Sequence, residues 1–230
     1  MTAPAGPTSR PPTALDLLRS AKDRSGRSPE QWLTAALSDV VGPVLELRGA
    51  AEDRVSIRLL GSGTALAEAD RLPVRTNALA GVRATMCLPA LGPLDGLFAE
   101  LRRVLRPTGT VAALVPSRPG GPLTTPRAWR PLNLALAGHP GFRHESARDH
   151  LSWLLTAADF AVLADQRRTF WVPIPDPDSV ARAVAALVPA GVWPPEVEPD
   201  RVRRAVAGLA RYAAPGRRLP IPLRLLVGRR

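Results

Sequence analysis

An α/β fold is predicted by three observations. The chain has 230 residues, 45% of them hydrophobic, which is enough for one domain with a sizeable core. Short apolar runs of strand length alternate with amphipathic helical stretches. The segment "LDGLFAELRRVLRPTGTVAALVP" joins a helix to an apolar strand through Pro107-Thr108-Gly109, and strand, helix, turn and strand is the unit of a parallel sheet.

Taken in order, residues 1–13 combine Pro, Gly, Ser and Thr without an apolar period, so a disordered leader is expected there and a single domain over 14–230. "ALDLLRSAKDR" from Ala14 is a helical stretch, and Ser28-Pro29 is a start signal for "EQWLTAALSDVV", where Trp32, Leu33, Ala36 and Leu37 fall at helical spacing. Strand-like runs follow at Val44 to Leu47, Arg54 to Leu60, Thr64 to Ala69 and Leu79 to Leu88. Leu94, Leu97, Phe98, Leu101, Val104 and Leu105 then share one helical face.

Gly120 to Pro140 is rich in Pro and Gly and carries "TTPRAWRPLNLALAG", which reads as a short helix or a lid-like insertion. "HLSWLLTAADFAVLADQRRTFWVPI" reads as a helix, a turn and a pair of strands. "VARAVAALV" is a helix that Asp178 or Ser179 could cap and Pro189 stops. "PDRVRRAVAGLARYA" is a basic-faced helix, and "IPLRLLVG" closes the chain as a strand.

The composition narrows the function. A net charge of +11 draws attention to polyanions, but almost all of it is Arg and aromatic residues make up only 4%, so stacking platforms for nucleic acid are scarce. Cys87 is the one cysteine, which excludes an intramolecular disulfide and a CxxC metal knuckle. No apolar run reaches the length of a transmembrane span, so a cytoplasmic protein is expected, with peripheral membrane contact through the Arg-rich C-terminal region left open.

"LDGLFAELRRVLRPTGTVAALVPS", Leu94 to Ser117, resembles the helix, turn and fifth strand of class I S-adenosylmethionine-dependent methyltransferases, type 11-like, with Thr108 where the first glycine of "RPGG" is usual. "GPVLEL" resembles that family's first strand, "ADRLPVRTNALAGVRATMCLPAL" its adenine loop and fourth strand, and "LLTAADFAVL" the helix before the sixth. The resemblance runs from Trp32 to Arg230. It implies a Rossmann-like, seven-stranded, mostly parallel sheet with helices on both faces and an antiparallel last strand. Ligands of such sheets sit beyond the carboxyl ends of the strands.

The same resemblance implies S-adenosylmethionine as cofactor, a small-molecule methyl acceptor, and Glu46, Gly49, Asp70 and Met86 as cofactor-site residues. Arg48, Ala50 and Glu52, however, stand at the other glycine-like places, and only Arg48 to Asp53 separate the first strand from the next apolar run. That is too short for a connecting helix. The alternative loop, "LLGSGTA" at Leu59 to Ala65, lacks the preceding acid. The expectation is therefore a methyltransferase scaffold with a degenerate cofactor motif, either a divergent enzyme or a non-catalytic scaffold that pairs with a protein partner.

Other residues carry chemistry less directly. His144 is the candidate base; together with His139 and His150 it does not share one helical face, and no metal site is expected. Met86 and Cys87 read as core or acceptor-facing residues. Trp129, Trp153, Trp171 and Trp193 could line a pocket, Trp129 being the one least explained by core packing.

Overall fold

The computed structural model describes residues 14–49, 53–60, 63–118 and 129–230; the expected leader lies outside them. Seven strands form one sheet: β1 (Val44–Gly49), β2 (Arg54–Leu59), β3 (Thr64–Glu68), β4 (Leu79–Thr85), β5 (Leu105–Pro116), β6 (Ala161–Pro173) and β7 (Arg218–Arg229). Their spatial order is β3-β2-β1-β4-β5-β7-β6. The β1-β4 and β4-β5 pairs are parallel, whereas β1-β2, β2-β3, β5-β7 and β6-β7 are antiparallel. Five strands thus run one way and β2 and β7 run against them, so the sheet is parallel at its centre and antiparallel toward both edges.

The period-two alternation of β5 divides the core between two layers. Ala112 and Leu114 face a cluster with Leu17 and Leu18 of α1 (Ala14–Ser20), Trp32 and Leu33 of α2 (Pro29–Ala35), and Trp129 and Leu132 of α4 (Trp129–Ala135). Val180 and Val184 of α7 (Pro177–Ala185) and Leu209 of α8 (Pro199–Ala210) complete that layer. Val111, Ala113 and Val115 face α3 (Leu94–Val104), α5 (Glu145–Asp149) and α6 (Leu151–Ala157). On α3 the residues expected on one helical face, Leu94, Leu97, Phe98, Leu101 and Val104, are the buried ones.

Local chemistry sets the helix starts. Ser28 and Gln31 form a capping box ahead of α2, with Pro29 in the first turn. At α7 the cap is Asp176, not Asp178 or Ser179; Pro177 fixes the first turn one residue earlier, and Ser179 becomes the reciprocal partner in the box. The expected pair of strands after α6 is instead the single strand β6, paired with β7 along its whole length. Nothing between Asp165 and Thr169 supplies a turn. Trp129 is only 6% exposed and belongs to the core, contrary to its sequence-based reading.

The junction between α3 and β5 is abrupt. Val104 ends the helix, Leu105 already pairs with Leu79, and the register then shifts so that Thr110 pairs with the Gly81 level, looping out Arg106 to Gly109. Within that loop Thr108 is exposed and has φ of 66°, a left-handed conformation that a β-branched residue adopts only under strain. Replacing Thr108 by Gly should raise stability by about 1 kcal/mol, the strain relieved being partly offset by the added freedom of the unfolded chain. A urea titration that shows Thr108→Gly to be less stable would contradict this account of the junction.

Candidate functional site

The first strand buries Leu45 and Leu47 against the α3 layer, and alternation sends Glu46 and Arg48 to the opposite face. Glu46 stands opposite Arg58 on β2 and opposite Arg83 on β4. Its carboxylate is 1% exposed and pairs with Arg58 Nη2 at 2.6 Å, Arg48 Nη2 at 2.9 Å and Arg83 Nη2 at 2.9 Å. Glu30 on α2 joins from above, 3.5 Å from Arg83 and 3.8 Å from Arg48, and Thr34 Oγ1 accepts from Arg83 Nη1 at 3.3 Å.

Burial by itself pushes the Glu46 carboxyl up. The hydrogen bond from Arg48, the charges of Arg83 and Arg48 and the bond from Arg58 outweigh burial and hold the group below its usual value.

At Gly49 the chain reaches the carboxyl end of β1, the point at which a cofactor loop and helix would begin. Gly49 instead pairs with Val55, so the chain has reversed into the antiparallel strand β2. The alternation of "RVSIRL" explains why: Val55 and Ile57 enter the same core layer as Leu45 and Leu47, while Ser56 and Arg58 share the face of Glu46. The second glycine candidate fares similarly, since Gly63 lies in the connection between antiparallel β2 and β3.

Beside this reversal, at the carboxyl ends of β1 and β4, is a cavity of about 480 Å³. Arg48 and Gly49 line it from β1, Thr85 from the end of β4 and Met86 just after it, Leu18 from α1, and Phe142 and Trp193 from two connections. Its roof is the α7-α8 connection. Gly191 there has φ of 68°, and a Cβ at that position would lie 2.5 Å from the carbonyl oxygen of Met86, so only glycine lets the roof close on β4.

Of the residues expected in a cofactor site, Gly49 and Met86 line the cavity and Glu46 lies behind Arg48 in the ion-pair cluster. Asp70 is exposed in the turn after β3 and lies against Gly96 of α3; it is not among the lining residues. His144 packs its Nε2 against Gly92, beside α3, and that nitrogen is buried without a protein partner. Burial and then the charge of Arg143 hold the His144 pKa below its usual value, against the opposing charge of Asp95.

Cys87 is fully buried next to Leu47, and burial pushes its thiol up to about 12, which fits packing over reactivity. Trp153 is 67% exposed, so of the four tryptophans only Trp193 contributes to the cavity. The roof residues Val188 to Glu196 had no sequence motif to mark them. Arg201, on the basic-faced helix, ties α8 to the end of α4 by donating to the carbonyl oxygens of Ala135 and Ala137.

Removing the carboxylate with Glu46→Ala leaves Arg83 buried with weakened partners and should cost about 3–5 kcal/mol, read by chemical denaturation. Because the folded-state pKa of Glu46 is depressed, its contribution is present above the usual value of 4.5 and is lost as pH falls through the folded value. Glu46→Gln should therefore flatten the acid limb of the stability curve; an unchanged acid limb would contradict the ion-pair assignment.

No family model matches the chain, and the narrower type 11 label therefore has no support beyond the sequence resemblance. The chain is 30% identical over 151 residues to the ubiquinone/menaquinone biosynthesis C-methyltransferase UbiE of Bordetella parapertussis, a match covering 66% of this chain and 54% of that protein. The corresponding protein of Bordetella avium is 29% identical over 151 residues, covering 66% and 55%. The chain thus spans about half the length of the curated relatives it matches.

Among solved structures, a putative methyltransferase from Bacillus halodurans aligns over 86% of this chain and 97% of its own, with 12% identity and a TM-score of 0.47. The YcgJ protein of Bacillus subtilis aligns over 71% of this chain and 69% of its own, with 16% identity and a TM-score of 0.41. From the sequence matches, the chain is a homologue of the class I S-adenosylmethionine-dependent methyltransferases.

Proposed function

We propose that this chain is a methyltransferase homologue whose methyl transfer to a small-molecule acceptor is weakened or lost, and whose cavity retains small-molecule binding. One observation carries the reading: β1 reverses directly into β2, with Glu46 already saturated by Arg48, Arg58 and Arg83. A cofactor bound in the family's manner needs close backbone approach at a glycine loop and the positive end of a following helix. Here Arg48 occupies the first glycine-like place, and the next described element is the antiparallel strand β2. The residues present do not fit S-adenosylmethionine bound in that manner.

The cavity is in the range of ordinary small-molecule sites and lies at the switch in strand order between β1 and β4. His144, the candidate base, is not among its lining residues, which is a further reason to place binding ahead of catalysis.

A second reading, a scaffold for a protein partner, is favoured by one different observation. Arg54 on β2 and Leu66, Thr64 and Glu68 on edge strand β3 are exposed, Leu66 at 55%, on or beside the sheet face that a helix after β1 would cover. No helix among the described residues is long and apolar enough to cross a membrane.

Calorimetry of the purified chain should show no binding of S-adenosylmethionine or S-adenosylhomocysteine at millimolar ligand. Micromolar binding that weakens in Asp70→Ala, a substitution at an exposed turn, would sink the reading and restore the family's cofactor site.

A further inference from the structure

The cavity carries more information than its position. Most of its wall is apolar: Leu18, Met86 and Trp193 are 6%, 5% and 1% exposed, and Phe142 is buried with them. At one end stands Arg48, half-buried, which binds Glu46 and Glu30 through Nη2 alone. Its Nε and Nη1 have no hydrogen-bond partner among the described residues, leaving three N–H donors, on either side of the bound Nη2, for an acceptor.

The charge behind Arg48 is not balanced. The guanidinium groups of Arg48, Arg58 and Arg83 face the two carboxylates of Glu30 and Glu46, an excess of one positive charge on a partly desolvated surface, Arg19 beyond them being exposed. Glu196 also lines the cavity but is exposed, where water screens it. Two further wall residues leave polar atoms without protein partners: Thr85 Oγ1 and Trp193 Nε1, both buried. Orphaned donors are expensive in an apolar setting and are usually met by water or by a ligand.

We propose that this cavity binds an anionic amphiphile, a carboxylate or phosphate joined to an apolar body, with Arg48 holding the head group and Leu18, Met86, Phe142 and Trp193 receiving the body. The proposal rests on the reading that S-adenosylmethionine does not take this space. A neutral ligand of the same shape would leave Arg48 facing it with unused donors, and a cation would meet the excess positive charge. The apolar wall alone selects size, and the guanidinium selects sign.

The test is a head-group series on the unaltered full chain, followed by calorimetry below the micelle concentration of each probe: decanoate, decyl phosphate, decanol and decyltrimethylammonium. Decanoate or decyl phosphate should bind one per chain, decanol about tenfold or more weaker, and the ammonium weaker still. The tighter of the two anions distinguishes a carboxylate from a phosphate source. Arg48→Gln should reduce anion affinity about tenfold and leave decanol unchanged. Decanol binding as tightly as both anions, or no saturable binding of any probe, would overturn the proposal.

This outcome is separable from the preceding one. Micromolar S-adenosylmethionine binding defeats the reading of the cofactor site, whatever the amphiphiles do. Loss of charge selectivity in the head-group series defeats the ligand class, whatever S-adenosylmethionine does.

Discussion

A single buried carboxylate, that of Glu46, organises the edge of the sheet where β1 gives way to β2. Removing a carboxylate from water costs several kcal/mol, and the cost is offset only if cations with good geometry surround it. Arg58 and Arg83 reach it from the flanking strands and Arg48 from its own. This arrangement also fixes register. A one-residue slip of β2 would set Glu46 opposite an apolar core residue such as Ile57 and turn Arg58 into the layer beneath α3.

The path of the chain at this edge follows from the length of the connection. Residues 50–53 between β1 and β2 are too few for the crossover that a parallel neighbour needs, so β2 lies antiparallel to β1, and Arg58 falls opposite Glu46. The helix that would present its positive end to a cofactor has no place in the connection. What remains at the carboxyl ends of β1 and β4 is a cavity whose polar end is a guanidinium and whose roof is the α7-α8 connection, seated through Gly191. The central β1-β4-β5 strands are parallel and hold the core.

Much of the scaffold was legible because its signals are local. The apolar period of Leu94 to Val104 and the sharp "RPTG" turn specify a helix running into a strand, and the turn even retains its left-handed residue with Thr in place of glycine. The absence of a helix after β1 was also legible, as a matter of length. The direction of β2 was not, since alternation sets which face a residue takes and says nothing of strand polarity. The partners of Glu46 were hidden for the same reason: Arg58 and Arg83 are neighbours only across strands. The roof of the cavity comes from a connection whose residues meet β4 through backbone contact, which leaves no periodic trace. Trp129 was misjudged because its Pro-rich surroundings suggested a surface, whereas the α4 turn it opens packs on α8.

The account stands on β1 reversing into β2 with Glu46 at the centre of the pair. Its most direct test is a nuclear Overhauser measurement on labelled protein, reading cross-strand contacts between Val44–Gly49 and Arg54–Leu59. The account predicts short Hα to Hα contacts between the two strands, the signature of antiparallel pairing, in the register that sets Glu46 opposite Arg58. Helical contacts following Gly49, with β2 parallel to β1, would contradict it and make room for the cofactor loop that the sequence resemblance implies.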